Sequence, residues 1–309
     1  MSLFEELKQI SQKFKNTELK KIVNLYQKKY INGKAQGLGD YLRGCYCLFQ
    51  VSKILGLEFD MDLSNHPMSQ FLENHKDKNP KLNYDTISWF RNDNYQEVPN
   101  STKMKTKSCE FLNELIQLLN GVNNECYSLF SNAFPLFQNV KKIRNGPREF
   151  IRNKLTPNAQ MGKNIHMRLT KLRVKENQYS VIHVRCGDAF LLENDASVQP
   201  EVFHRISNAI EKNIPRTHRN KKYVLLSDNN QMKLLLKKRF PNLIVQIKEM
   251  THLGESNSYT NESIMHTLLD FYTMSTSNFI VSLSPYNWGS GFSEWCAITY
   301  RVPYLKIIY

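Results

Sequence analysis

The chain has 309 residues, 41% hydrophobic and 23% charged, with a formal net charge of +14. That length exceeds one small core and suits two modest domains, and the composition excludes a chain disordered throughout. The positive balance favours anionic partners (nucleotide sugars, acidic polymers, nucleic acid or a lipid surface) without choosing among them.

In chain order, "MSLFEELKQISQKFKN" spaces Leu3, Phe4, Leu7, Ile10 and Phe14 helically among charges. This predicts an amphipathic helix rather than the uninterrupted apolar core of a signal peptide. No stretch reaches the roughly 20 apolar residues of a membrane span. The six cysteines form no CxxC pair and have no histidine at metal-ligand spacing. A reduced, cytoplasmic setting is expected, with buried thiols at Cys45 and Cys47. Contact with a membrane surface through the basic residues stays open.

Gly37 and Gly39 form a turn that opens a helix carrying Leu42, Tyr46, Phe49, Ile54 and Leu55, closed at Gly56. "LEFDMDL" then alternates as a half-exposed strand. Residues 64–107 read as a long polar excursion. "CEFLNELIQLLNG" and "GPREFIRNKLTP" read as helices. The stretch 165–176 is polar and unpatterned and marks a boundary, giving domains 1–170 and 171–309.

Beyond it, strands are expected at 180–184, 223–227, 243–247, 279–284 and 303–308, with helices at 200–213, 231–240, 262–275 and 293–300. That alternation is α/β, with a largely parallel sheet receiving ligands at the carboxyl ends of its strands.

Four features fall at those ends. The turn Gly37–Leu38–Gly39–Asp40 lets backbone approach a ligand, or is simply a tight turn. "HVRCGD" ends the first strand of the second half with Arg185, whose guanidinium can hold phosphate oxygens by paired hydrogen bonds. Within it His183 is a ligand contact or a satisfied core histidine, and Asp188 an orienting partner. In "LLSDNN", Asp228 accepts from ribose hydroxyls or a base edge, or the segment caps the following helix. In "SPYNWGSGFSEWCAITY", Ser290, Gly291, Phe292 and Ser293 open a helix suited to phosphate oxygens. Trp288, Phe292 and Trp295 read as packing residues.

In order and spacing the four features resemble the GT-B glycosyltransferases that use GDP-fucose. That group includes α-1,2-, α-1,6- and protein O-fucosyltransferases and the bacterial nodulation fucosyltransferase. "GLGDYLRGCYCLFQVSKILGLEFDMD" is similar to the group's first glycine turn and helix, and "HVRCGD" to its H-x-R-R-x-D motif. "LLSDN" and the segment from Asp270 to Ile298 resemble its last two motifs. The resemblance implies two Rossmann-like domains with a donor-binding cleft between them, the first on the acceptor side and the second binding the nucleotide sugar.

It also implies inverting transfer of fucose to a glycan or other hydroxyl acceptor, with no metal and no cofactor beyond the GDP-fucose donor. Arg185 would hold the pyrophosphate, Asp228 the nucleoside, Ser290–Ser293 the phosphates, and His183 would reach the base. Gly37 and Gly39 would line the donor site. Asp40 is the first candidate for general base, with Glu294 and Asp188 behind it. The sequence departs from the motif at Cys186, where many members carry a second arginine, although the protein O-fucosyltransferases lack it too. Another GDP- or UDP-sugar as donor, a sugar-binding relative without turnover, and a basic nucleic-acid-binding protein are the alternatives. The last conflicts with scattered basic residues and the lack of a nucleic-acid-binding signature.

Overall fold

The structure, a computed structural model, describes residues 2–26, 37–64, 66–73, 89–90, 101–136, 145–187, 197–214, 222–248 and 260–309. Asp188 lies outside them. The chain divides into two compact units.

The first unit comprises the described residues of Met1–Gln27, Asp40–Ser69 and Asn74–Lys154. Helix α1 (Leu3–Ser11) starts at a capping box made by Ser2 and Glu5 and buries Leu7. It ends before Phe14 and leaves Phe4 exposed, so only part of the expected apolar stripe is used. Strand β1 (Lys21–Leu25), helix α2 (Leu38–Leu55) and strand β2 (Glu58–Asp62) follow. Next come β3 (Trp89–Phe90), α3 (Ser101–Asn120), β4 (Cys126–Ser131) and α4 (Asn145–Lys154). The strands form a parallel sheet in the order β2-β1-β4-β3.

Sequence reading missed β1 and β4. Both are largely buried on both faces, so neither shows the alternation that betrays a half-exposed strand. Asn24 interrupts the apolar run of β1, yet its amide donates to the Ser131 carbonyl at 3.1 Å and accepts from the Ser131 N–H at 2.9 Å. The expected excursion over 64–107 contains a 3-10 turn at Pro67–Phe71 and the first residues of α3.

The second unit comprises the described residues of Lys28–Gly39, Gln70–Glu73 and Leu155–Tyr309. Its elements are α5 (Ala159–Lys171), β5 (Ser180–Val184), α6 (Pro200–Asn213), β6 (Tyr223–Ser227) and α7 (Asn230–Arg239). Then come β7 (Leu243–Val245), α8 (Asn261–Ser275), β8 (Phe279–Ser284), α9 (Gly291–Tyr300) and β9 (Tyr304–Ile308). All five strands are parallel in the order β7-β6-β5-β8-β9. The chain builds outward from β5 through β6 and β7, then returns to the other side of β5 for β8 and β9. That reversal makes the carboxyl ends of β5 and β8 a topological switch point, where open α/β sheets take their ligands.

Helix α5 corrects the reading of 165–176 as unpatterned. Its buried face includes Arg168, which pairs with the carboxylate of Asp270 on α8, both side chains 6% exposed. An ion pair inside a helix interface reads as polar surface when only apolar residues are counted. Among the described residues no helix is long and apolar enough to cross a membrane.

Candidate functional site

The site is built on the carboxyl edge of the second sheet. Beyond β5, the Arg185 N–H still donates to the Leu283 carbonyl at 2.9 Å, so β8 holds the arginine's backbone. The Arg185 carbonyl accepts from the Tyr309 hydroxyl at 2.7 Å. The guanidinium, its side chain 15% exposed, donates to Asp228 Oδ2 at 3.1 Å. Arg185 is thus fixed at both backbone and side chain, at the mouth of the switch point.

Asp228 is held by the protein's own hydrogen bonds. Its Oδ1 accepts from the Cys186 N–H at 2.7 Å and from the Ser227 hydroxyl at 3.4 Å. Its Oδ2 accepts from Arg185 and, at 3.4 Å, from the Gly187 N–H. A carboxylate has about four lone-pair positions, and these donors occupy them. The cap of α7 comes from the next residue: Asn229 Oδ1 accepts from the Met232 N–H at 2.7 Å. Asp228 therefore ties the segment after β5 to the end of β6 and orients Arg185.

His183 sits inside the sheet, 6% exposed, with its ring 5.9 Å from that of Phe292 in the first turn of α9. Burial lowers its pKa to about 4, so the imidazole is neutral. Its Nδ1 has no hydrogen-bond partner among the described residues. The Cys186 thiol is buried beside the Ser227 hydroxyl at 3.5 Å, and burial pushes its pKa up. Cys186 is thus an inward-facing group.

The start of α9 packs on β8 and beside β5, where its Phe292 ring neighbours that of His183. Helices α5, α7 and α8 begin with a side-chain cap from Asn158, Asn229 and Thr260. At α9 the N-cap is Ser290, and its side chain makes no such bond. The Ser293 hydroxyl turns inward, donating to Ser282 Oγ at 2.8 Å and to the Ser290 carbonyl at 3.3 Å. The first N–H groups of such a helix lack intrahelical acceptors and carry partial positive charge. Gly39 explains why that start is glycine-rich. A Cβ on Gly39 would lie 2.2 Å from the Gly291 carbonyl carbon and 2.5 Å from the Phe292 nitrogen, so the two backbones touch. Gly39 thus stands where only a residue without a side chain fits against the start of α9.

Asp40 belongs to the first unit, on the first turn of α2. Its carboxylate is 44% exposed and paired with the Arg43 guanidinium at 3.1 Å. Arg43 in turn donates from Nε to the Asn132 carbonyl at 2.6 Å and lies over the Phe134 ring at 4.1 Å. Asp40 is held in place from below while its outer face meets solvent. Sequence reading missed Arg43, although its i, i+3 spacing from Asp40 on a helix was the available signal. Glu294 stands in the first turn of α9, partly exposed. Among the described residues no three His, Cys, Asp or Glu side chains gather as metal ligands would.

No protein-family model and no curated protein matches the sequence. Solved structures do match its fold. Arabidopsis thaliana FUT1, as a mutant in complex with GDP, aligns with a TM-score of 0.56 at 11% identity, over 97% of this chain and 74% of that one. The fucosyltransferase NodZ from Bradyrhizobium aligns with a TM-score of 0.50 at 14% identity, over 91% of this chain and 92% of that one. Two parallel Rossmann-like sheets in this order, matched over nearly the whole chain, give this protein the GT-B fold of the fucosyltransferases.

Proposed function

We propose that this chain is a glycosyltransferase that moves fucose from GDP-fucose to a hydroxyl of a glycan or other acceptor, with inversion and without a metal. The observation that carries the reading is the meeting of an anchored arginine and a helix start without a side-chain cap at one switch point. Both groups favour an anion, and a diphosphate presents oxygens to both. The GDP named in the FUT1 structure supports the nucleotide, and the name of NodZ supports the sugar.

In the reaction, the acceptor oxygen bonds to the anomeric carbon from the face opposite the diphosphate, and the bond from that carbon to the phosphate oxygen breaks. GDP leaves with the electron pair. Arg185 and the amides of Gly291 and Phe292 meet the charge that develops on the leaving oxygens, the task a divalent cation performs elsewhere. The acceptor proton passes to a carboxylate, for which Asp40 is the first choice. A second reading keeps the fold and changes the donor to another GDP- or UDP-sugar. The buried Cys186 favours it, because the second cation of the fucose-specific motif is missing there.

A thermal-shift panel tests both readings. GDP and GDP-fucose at a hundred times their Kd should stabilise the chain by about 2.7 kcal/mol. UDP should not shift it, and Arg185→Ala should abolish the shift and the turnover while remaining folded. EDTA should leave turnover intact. Stabilisation by UDP or GDP-mannose alone moves the donor, and a full GDP shift in Arg185→Ala removes the arginine from its role.

A further inference from the structure

Between β8 and α9 the chain places an aromatic pair that phosphate binding does not use. The rings of Tyr286 and Trp288 stack with centroids 4.9 Å apart and planes 10° apart. Trp295 is buried, but Trp288 is 44% exposed, which departs from the expectation that it packs. Among the described residues the only other exposed large aromatic is Phe4, in the first unit. The indole thus stands at the carboxyl edge of the sheet, stacked on Tyr286 on one face and partly exposed to solvent.

The pair is held in position. The Gly289 N–H donates to the Tyr286 carbonyl at 2.8 Å, closing a four-residue turn with Trp288 at its third position. Gly289 has φ +84°, a conformation that favours glycine, and a Cβ there would meet the Lys306 side chain at 2.6 Å. The Tyr286 N–H donates to Ser284 Oγ at 3.2 Å, fixing the turn to the end of β8. Little ordering is left for a ligand to impose, so stacking energy is not spent on freezing the loop.

The pair also neighbours Arg185. Ser284 joins them: its Oγ accepts from the Tyr286 N–H and its carbonyl from the Tyr309 N–H at 3.1 Å, and the Tyr309 hydroxyl donates to the Arg185 carbonyl. Meanwhile the lone pairs of Asp228, expected to read the nucleoside, are occupied by the protein's own donors. Recognition of the base then needs another surface within reach of the same diphosphate.

We propose that Trp288, backed by Tyr286, is the stacking platform for the purine ring of the nucleoside-diphosphate donor. The inference rests on the reading of this edge as a nucleotide-sugar site. A purine suits it because planar rings extend an existing face-to-face stack, and base–aromatic stacking needs no particular hydrogen-bond partner.

Calorimetric titration of the full chain with GDP, guanosine and inorganic pyrophosphate tests it. Trp288→Ala should weaken GDP and guanosine by about 5- to 150-fold and leave pyrophosphate unchanged. Trp288→Phe should recover most of that loss, and GDP should quench indole fluorescence where pyrophosphate does not. The side chain is exposed, so the unfolding midpoint should not move. Wild-type GDP affinity in Trp288→Ala overturns the platform and leaves the nucleotide reading intact. So does an equal loss of pyrophosphate, or a raised acceptor KM at unchanged GDP affinity, which would assign the indole to the acceptor's sugar. A wild-type chain that binds no nucleotide overturns both.

Discussion

At the scale of single residues, the second unit puts its ionisable groups to structural use before any ligand arrives. Asp228 spends its carboxylate on Arg185 and two backbone N–H groups, and His183 stays neutral because burial opposes its charge. The histidine has a consequence for pH. Its folded pKa of about 4 lies below the ordinary value of 6.5, so between those limits the unfolded chain binds a proton that the native chain refuses. Its contribution to stability is therefore complete above pH 6.5 and is lost as pH falls towards 4. Between pH 7.5 and 5 the loss should be about 2 kcal/mol. His183→Gln, which carries no charge at any of these values, should flatten that part of the profile in urea unfolding. An unchanged acid limb in the variant would mean that His183 is not the group responsible. Residues such as Arg185 were legible in the sequence because their types announce their chemistry. The engagement of Asp228 was not, since its partners are backbone groups 41 and 42 residues away in the chain.

At the scale of elements, the sheet β5–β9 was legible strand by strand, because short buried runs alternate there with helices. The first unit was harder. Strands β1 and β4 carry Asn24, Ser128 and Ser131 among their apolar residues, and the Asn24 amide is satisfied by the Ser131 backbone and by groups of α2. Helix α5 hid behind its buried Arg168 for a related reason. The glycine turn was legible as a turn, but its partner was not: Gly39 matters because Gly291 lies against it. That contact reverses a familiar sign. Gly→Ala inside a helix ordinarily gains about 1 kcal/mol. Gly39→Ala should instead cost about 1–3 kcal/mol, because the new methyl must displace the first turn of α9. With the amides of Gly291 and Phe292 moved, GDP affinity should fall at least tenfold, read by titration beside urea unfolding. A stabilised variant with unchanged affinity would show that the contact bears on neither.

At the scale of the whole molecule, the charge of +14 and the GT-B fold predict different salt dependences, and this separates the transferase from its nucleic-acid-binding rival. Fixed charges beyond about 8 Å are largely screened at physiological ionic strength. A diphosphate at the carboxyl edge of β5 and β8 therefore responds mainly to Arg185 and the start of α9, and only weakly to lysines elsewhere. A polyanion laid along the basic surface would displace many counterions at once and lose about 10³–10⁵ in affinity between 50 and 200 mM salt. GDP binding should weaken by less than tenfold over the same range. Hydrogen exchange locates the difference: GDP should slow amides at 184–187, 227–229 and 284–293 and leave those of β1, β2 and β4 unchanged. Protection spread over lysine-rich segments by an oligonucleotide, with none at the switch point from GDP, would favour the basic surface over the sheet edge. The fold already argues for the edge, since all five strands of the second sheet deliver their carboxyl ends to one side and Arg185 stands at their centre.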